Sequence, residues 1–124
     1  MKLKVYNNMQ HSEFETLVKT LCTLESVPSA LKFLQMNSDS DVAEAAKSLS
    51  GQFALAEVDG ENRIYHVTTQ LDDQNVEQEY VEHIMNEGDD IIRFIAWFFD
   101  IMFDVKNKDT YAAAGKTYSQ PKRS

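Results

Sequence analysis

Residues 91–105 read IIRFIAWFFDIMFDV. Twelve of the fifteen are apolar, and the exceptions, Arg93, Asp100 and Asp104, fall at i, i+7 and i+11. At about 100° per residue these three lie within roughly 40° of one another on a helix. The spacing predicts a helix over 90–106 with one narrow polar stripe and apolar surface almost everywhere else, so it belongs at the centre of a core. Asp89 or Asp90 is placed to cap it, where a carboxylate also suits the positive end of the helix dipole. Phe94, Trp97, Phe98, Phe99 and Met102 are expected to fill that core. A chain this short has limited material to enclose them, so part of the cluster is also a candidate oligomer interface, with a homodimer as the expected assembly. Trp97 lies beside the stripe and is the aromatic expected to be partly exposed.

Upstream, QFALAEV (52–58) and RIYHVTT (63–69) flank Asp59-Gly60-Glu61-Asn62, a strong hairpin signal. KLKVY at 2–6 alternates polar and apolar and reads as a further strand. Ser12 with Glu15 has the spacing of a capping box for a helix over 12–24. Ser26, with Pro28 in the first turn, starts a second helix whose buried side is Val27, Ala30, Leu31 and Leu34. Asp41 with Glu44 starts a third, which ends at Leu49 before Gly51. Asp72 or Asp73 is placed to cap a fourth, over 73–87, with Val76, Tyr80 and Ile84 as its apolar stripe and Gly88 at its end. These elements define an α+β fold in which a small antiparallel sheet, the 52–69 hairpin with strand 2–6, packs against about five helices. Residues 1–106 form one domain, and 107–124, with small polar residues, Gly115 and Pro121, read as a basic, flexible tail.

The formal charge of −8 divides unevenly. Residues 1–105 hold 19 acids against 7 Lys and Arg, a net −12, while the tail holds 5 Lys and Arg against Asp109, a net +4. An acidic body repels nucleic acid and anionic membranes and favours a partner with a basic surface. The tail's opposite sign lets it fold back on the acidic helix or contact a partner, against the plainer reading of a solvated end. One cysteine, Cys22, excludes an internal disulfide framework. The start MKLKVYNN has no long apolar run, and 91–105 is shorter than the roughly 20 residues a spanning helix needs, so the expected location is cytoplasmic.

Three groups of residues are candidate sites. The first is the acidic block Asp72, Asp73, Glu77, Glu79, Glu82, Glu87, Asp89 and Asp90, which contains no Lys or Arg. Ordinary surface helices mix signs through i,i+4 pairs, so this uniformity points to docking of a basic partner. Carboxylates on a helix rising 1.5 Å per residue can also imitate the phosphates of duplex DNA, spaced about 1.7 Å along its axis. The second group is Arg63, Tyr65 and His66 in the hairpin, able to line a small-ligand pocket between the sheet and the long helix. The third is His83, with Glu79 and Glu87 four residues to either side, read as a protonated histidine between carboxylates rather than a metal site. Catalytic motifs are absent: there is no Gly-rich phosphate loop, C-x-x-C, H-E-x-x-H or G-x-S-x-G. The expectation is a non-enzymatic, acidic protein-binding module without cofactor or metal, an inhibitor or adaptor docking a basic, nucleic-acid-acting partner. Phage accessory and counter-defence proteins include small acidic single domains of this kind, an association only. A small-ligand-binding domain is the alternative.

Overall fold

The computed structural model describes residues 9–118, and its elements are α1 (His11–Leu21), α2 (Val27–Gln35), α3 (Ser40–Leu49), β1 (Phe53–Val58), β2 (Glu61–Leu71), β3 (Glu77–Asn86), α4 (Ile92–Phe103) and α5 (Asn107–Ala113). The fold is α+β, with five helices and one antiparallel sheet of order β1-β2-β3 among the described residues. The strand expected at 2–6 lies outside them.

The helix at 91–105 forms as its spacing predicts. Phe94, Ile95, Phe98 and Phe99 are fully buried, and Arg93, Asp100 and Asp104 are exposed along one side. The N-cap of the helix is Ile91, which has no side-chain cap, rather than Asp89 or Asp90 as expected; Asp90 lies one residue earlier, its Oδ1 accepting from Ile92 N at 3.2 Å. Asp104, in the left-handed region at φ 57°, ends it, and Val105 N turns back to Phe99 O. Phe14 of α1 packs edge-on against Phe99 at 5.0 Å, and Phe53 of β1 meets Phe94 at 5.9 Å. The helix therefore sits between the other helices on one side and the sheet on the other.

Among the described helices, α2 and α3 start on a side-chain cap, while α1, α4 and α5 do not. Ser26 caps α2 as expected, accepting from Ser29 N at 3.3 Å. For α3 the cap is Asp39, not Asp41: its Oδ1 accepts from Asp41 N and Val42 N. Helix α1 starts at His11 after Gln10 and has no side-chain cap, so the Ser12–Glu15 box does not form. Gly51, at φ 88°, follows α3 and supplies the left-handed residue that turns the chain into β1.

The hairpin at 59–60 closes with both residues at positive φ, Asp59 at 52° and Gly60 at 82°, the geometry of a two-residue turn matched to strand twist. The register pairs Val58 with Glu61 and Phe53 with His66. Strand β2 then continues past the end of β1 to Leu71, further than the hairpin expected over 52–69.

The helix expected over 73–87 is a strand. Asp72 accepts backbone N–H groups as expected of a cap, but it closes a turn. Its Oδ1 takes Gln74 N at 2.8 Å and Val76 N at 3.0 Å, and Asn75 stands at φ 61°. The chain reverses, and 77–86 pair with β2 from Leu71↔Glu77 to Arg63↔Asn86. Ile84 is skipped between Ile64↔Met85 and Tyr65↔His83, forming a bulge. The spacing of Val76, Tyr80 and Ile84 is degenerate, because four residues are close to one helical turn and also an even number, which places side chains on one face of a strand.

The segment after Lys106, expected to be flexible tail throughout, begins with α5. Thr110 and Ala113 are buried, and Gly115, at φ 73°, ends the helix: its N–H bonds Ala112 O while Lys116 N bonds Tyr111 O at 2.9 Å. The glycine that read as a sign of disorder is a helix cap. Lys116 then pairs with Asp90 at the start of α4, so the basic segment folds back on the acidic one.

Candidate functional site

The turn at 72–75 and the strand after it divide the acidic block among four places. Asp72 and Asp73 lie at the tip of a projecting arm. Glu77 and Glu79 stand on its outer face, in register with Leu71 and Thr69. Glu82 is on the other face, and Glu87, Asp89 and Asp90 lie in the connection to α4. The block is therefore not one helical face, and the helix-rise argument for phosphate imitation falls with the helix. On a strand, Glu77 and Glu79 stand roughly 6.8 Å apart.

Beyond Val67 the ladder has two strands, and the residues from Thr69 to His83 are exposed apart from a half-buried Asp72. The arm's outer face carries Leu71, 63 % exposed and directly across from Glu77, and Val81, 57 % exposed and next after Glu79 on the same face of β3. Tyr80 on the inner face and Val76 beside the turn are also exposed. Burial of the Asp72 carboxylate is slight, but its hydrogen bonds are many. The N–H groups of Val76 and Gln74, with the Gln78 amide at 3.1 Å, hold its pKa below the ordinary value.

Arg63, Tyr65 and His66 do not converge. His66 points toward α4, with its ring 4.9 Å from Trp97 and 5.6 Å from Phe53, and its Nε2 donates to Gln52 Oε1 at 3.0 Å. It is 6 % exposed, and burial lowers its pKa, opposed by the Glu82 charge. Tyr65 is on the opposite face, its ring tilted against that of His83 at 5.3 Å. Arg63 reaches Glu61 at 3.9 Å. The His83 cluster also dissolves: strand geometry puts Glu79 about 13 Å along the chain, and His83 instead meets Tyr65 and Asn86 Oδ1 at 3.0 Å. Among the described residues no group of three His, Cys, Asp or Glu side chains is placed to hold a metal ion.

Of the aromatic cluster, Phe94, Phe98 and Phe99 are enclosed by the protein's own core. Trp97 is half-buried, as its place beside the stripe predicts, and so is Met102. The apolar side chain that α4 leaves most exposed is Ile101, which the sequence reading did not single out.

Sequence reasoning also missed a cleft of about 1000 Å³ between α2 and the sheet. Its floor is the cross-strand row Leu55–Ile64–Met85, and Leu24, Val27 and Leu31 form a wall. Cys22 lines it half-buried, and burial pushes its thiol pKa up. No local spacing could have indicated this cleft, because its residues come from elements far apart in the chain.

Comparison with protein-family models, with curated proteins and with solved structures finds no match to this chain. No helix among the described residues is long and apolar enough to cross a membrane.

Proposed function

We propose that the protein is a non-enzymatic acidic binding module that docks a basic surface of a partner protein through the β2–β3 arm, as an inhibitor or adaptor acting in the cytoplasm. The observation that carries this reading is the arm's outer face, where Glu77 and Glu79 stand between exposed Leu71, across from Glu77, and exposed Val81, with no Lys or Arg among them. A two-stranded ribbon is marginal by itself in water. Exposed apolar side chains on such a ribbon favour a bound state that covers them, and the carboxylates select a cationic cover while repelling acidic surfaces. A nucleic-acid-acting protein presents such a surface.

The test is affinity capture from the native host at low and high salt, with wild type beside Glu77→Lys/Glu79→Lys and Leu71→Ser/Val81→Ser. Both variants keep Glu82 and the core intact. The expected result is one partner, retained by wild type at low salt, released as salt rises, and lost from both variants. Equal retention by all three proteins at all salt concentrations would reduce the arm's charge to a solubility feature.

Two other readings have narrower support. The cleft between α2 and the sheet favours ligand binding, in a different place from the expected pocket beside the long helix. A homodimer through α4 would rest on Ile101, 47 % exposed, with the partly exposed Trp97 and Met102.

A further inference from the structure

The two edges of the sheet differ. Strand β3 is guarded by its bulge at Ile84 and by Glu77, Glu79 and Glu82, devices that discourage another strand from pairing. Strand β1, FALAEV, has no bulge, no proline and no lysine. Val67 N bonds Gln52 O at 2.8 Å, which sets the alternation along β1. Ala54, Ala56 and Val58 bond β2, and the N–H and C=O groups of Phe53, Leu55 and Glu57 point away from it. Among the described residues no strand pairs with that edge.

The cleft lies beside the same strand. Phe53, Ala54 and Leu55 line it, and Leu55 is 61 % exposed although it belongs to the apolar floor. Four carboxylates, Glu25, Glu87, Asp89 and Asp90, line the cleft against one cation, Lys32. Asp89 and Asp90 are paired with Arg93 and Lys116, while Glu25 and Glu87 have no ion-pair partner among the described residues.

We infer that β1 accepts an extended segment of a partner protein as a fourth strand, with alternate side chains entering the cleft, an apolar one among them and lysine or arginine two residues away on the same face meeting Glu25 and Glu87. This rests on the reading of the protein as a module for basic partners and assigns it a second contact surface. Backbone pairing supplies the hydrogen bonds and the cleft selects alternate side chains. Charge decides against a second copy as occupant, because it would bring another Glu57, Glu25 and Glu87 to the same junction on a chain of net charge −8.

The probe is a synthetic peptide, acetyl-Lys-Thr-Leu-Thr-Lys-Thr-amide, whose leucine and two lysines share one face of a strand, titrated into the isotope-labelled full chain at low salt. The expected result is saturable binding in which the amides of Phe53, Leu55 and Glu57 gain protection from exchange, while those of Ala54 and Ala56 keep what they had. Leu55→Pro removes one outward N–H without a bond to β2 and should weaken binding at least tenfold. Leu55→Glu, at a side chain already exposed, and Glu25→Gln/Glu87→Gln should weaken it without altering the fold, and a peptide with Glu for Lys should not bind. Equal binding by wild type and all three variants overturns the inference. So does protection that appears on concentrating the protein alone, which would assign the edge to a second copy, or that requires removal of residues 1–8, which would assign it to the chain's own start. Peptide shifts confined to residues 71–81, abolished by Glu77→Lys/Glu79→Lys, would leave the arm reading standing and remove this one. Peptide binding at β1 together with a partner indifferent to arm variants would do the reverse.

Discussion

Trp97 Nε1 donates to Glu82 Oε2 across 3.2 Å, joining the long helix to the third strand of the sheet. Glu82 reads in the sequence as one of eight docking carboxylates, and the structure turns it toward α4 as the anchor of an indole. It stands directly across from His66, whose ring packs on the same indole. One carboxylate thus orients Trp97 and faces a histidine whose pKa burial lowers and the carboxylate's own charge raises.

The His66 environment sets a pH dependence. Its pKa is lowered from 6.5 by burial, so the unfolded chain binds this proton more readily than the folded one. Stability is therefore undiminished above about pH 6.5, falls as pH drops below that value, and levels off beneath the folded pKa. The expected outcome is a melting temperature that declines between pH 7.5 and 5.5 in wild type and declines less in His66→Gln. Equal slopes in the two proteins would show that this ring is hydrated.

Phe98 faces the core with no exposed surface and contacts Phe99 at 5.1 Å. Phe98→Ala should cost about 3–5 kcal/mol. Phe98→Asp buries an unpaired charge and should leave the protein unfolded. Circular dichroism and chemical denaturation decide, and a folded Phe98→Asp protein of unchanged hydrodynamic size would contradict the core described above.

Thr110 on α5 is fully buried, and its Oγ1 has no hydrogen-bond partner among the described residues. Valine has nearly the same shape without the hydroxyl. Thr110→Val should therefore stabilise the protein by about 1 kcal/mol, a rise of a few degrees in melting temperature. A loss of stability would mean that the hydroxyl is satisfied.

The arm depends on Asp72. Because hydrogen bonds lower its pKa, its contribution is complete above the ordinary value of 3.8 and is lost as pH falls below it. Asp72→Ala should raise amide exchange at residues 69–80 at neutral pH while leaving Phe53–Val58 protected as before. Acidification of wild type below pH 4 should reproduce the pattern. Uniform exchange across both hairpins in the variant would show that the tip does not fold separately from the body.

Much of the helical core was legible from sequence. In 91–105 the polar stripe has the period of a helix and no other regular element, so its form and buried face could be read from one window. Asp59-Gly60 was equally unambiguous, since two successive positive φ values suit few other dipeptides. The candidate site was less legible. Carboxylates at 72–90 declare a uniform charge, but their positions in space depend on whether the segment is helix or strand.

The sequence by itself determined the apolar helix, the first hairpin, the α+β class and the separation of charge between body and C-terminal end. All of these are local or compositional properties. Tertiary structure decided the rest. The segment 77–86 became a strand because β2, rich in β-branched residues beyond the end of β1, offers it a ladder, and a four-residue apolar spacing satisfies either geometry. Glu82 turned inward because that register placed it opposite His66 and under Trp97. Helix α5 formed on a face of α4 that no short window could reveal, and the cleft came from four elements distant in the chain. A periodicity reports which side chains share a face, and only packing between distant segments settles what that face meets.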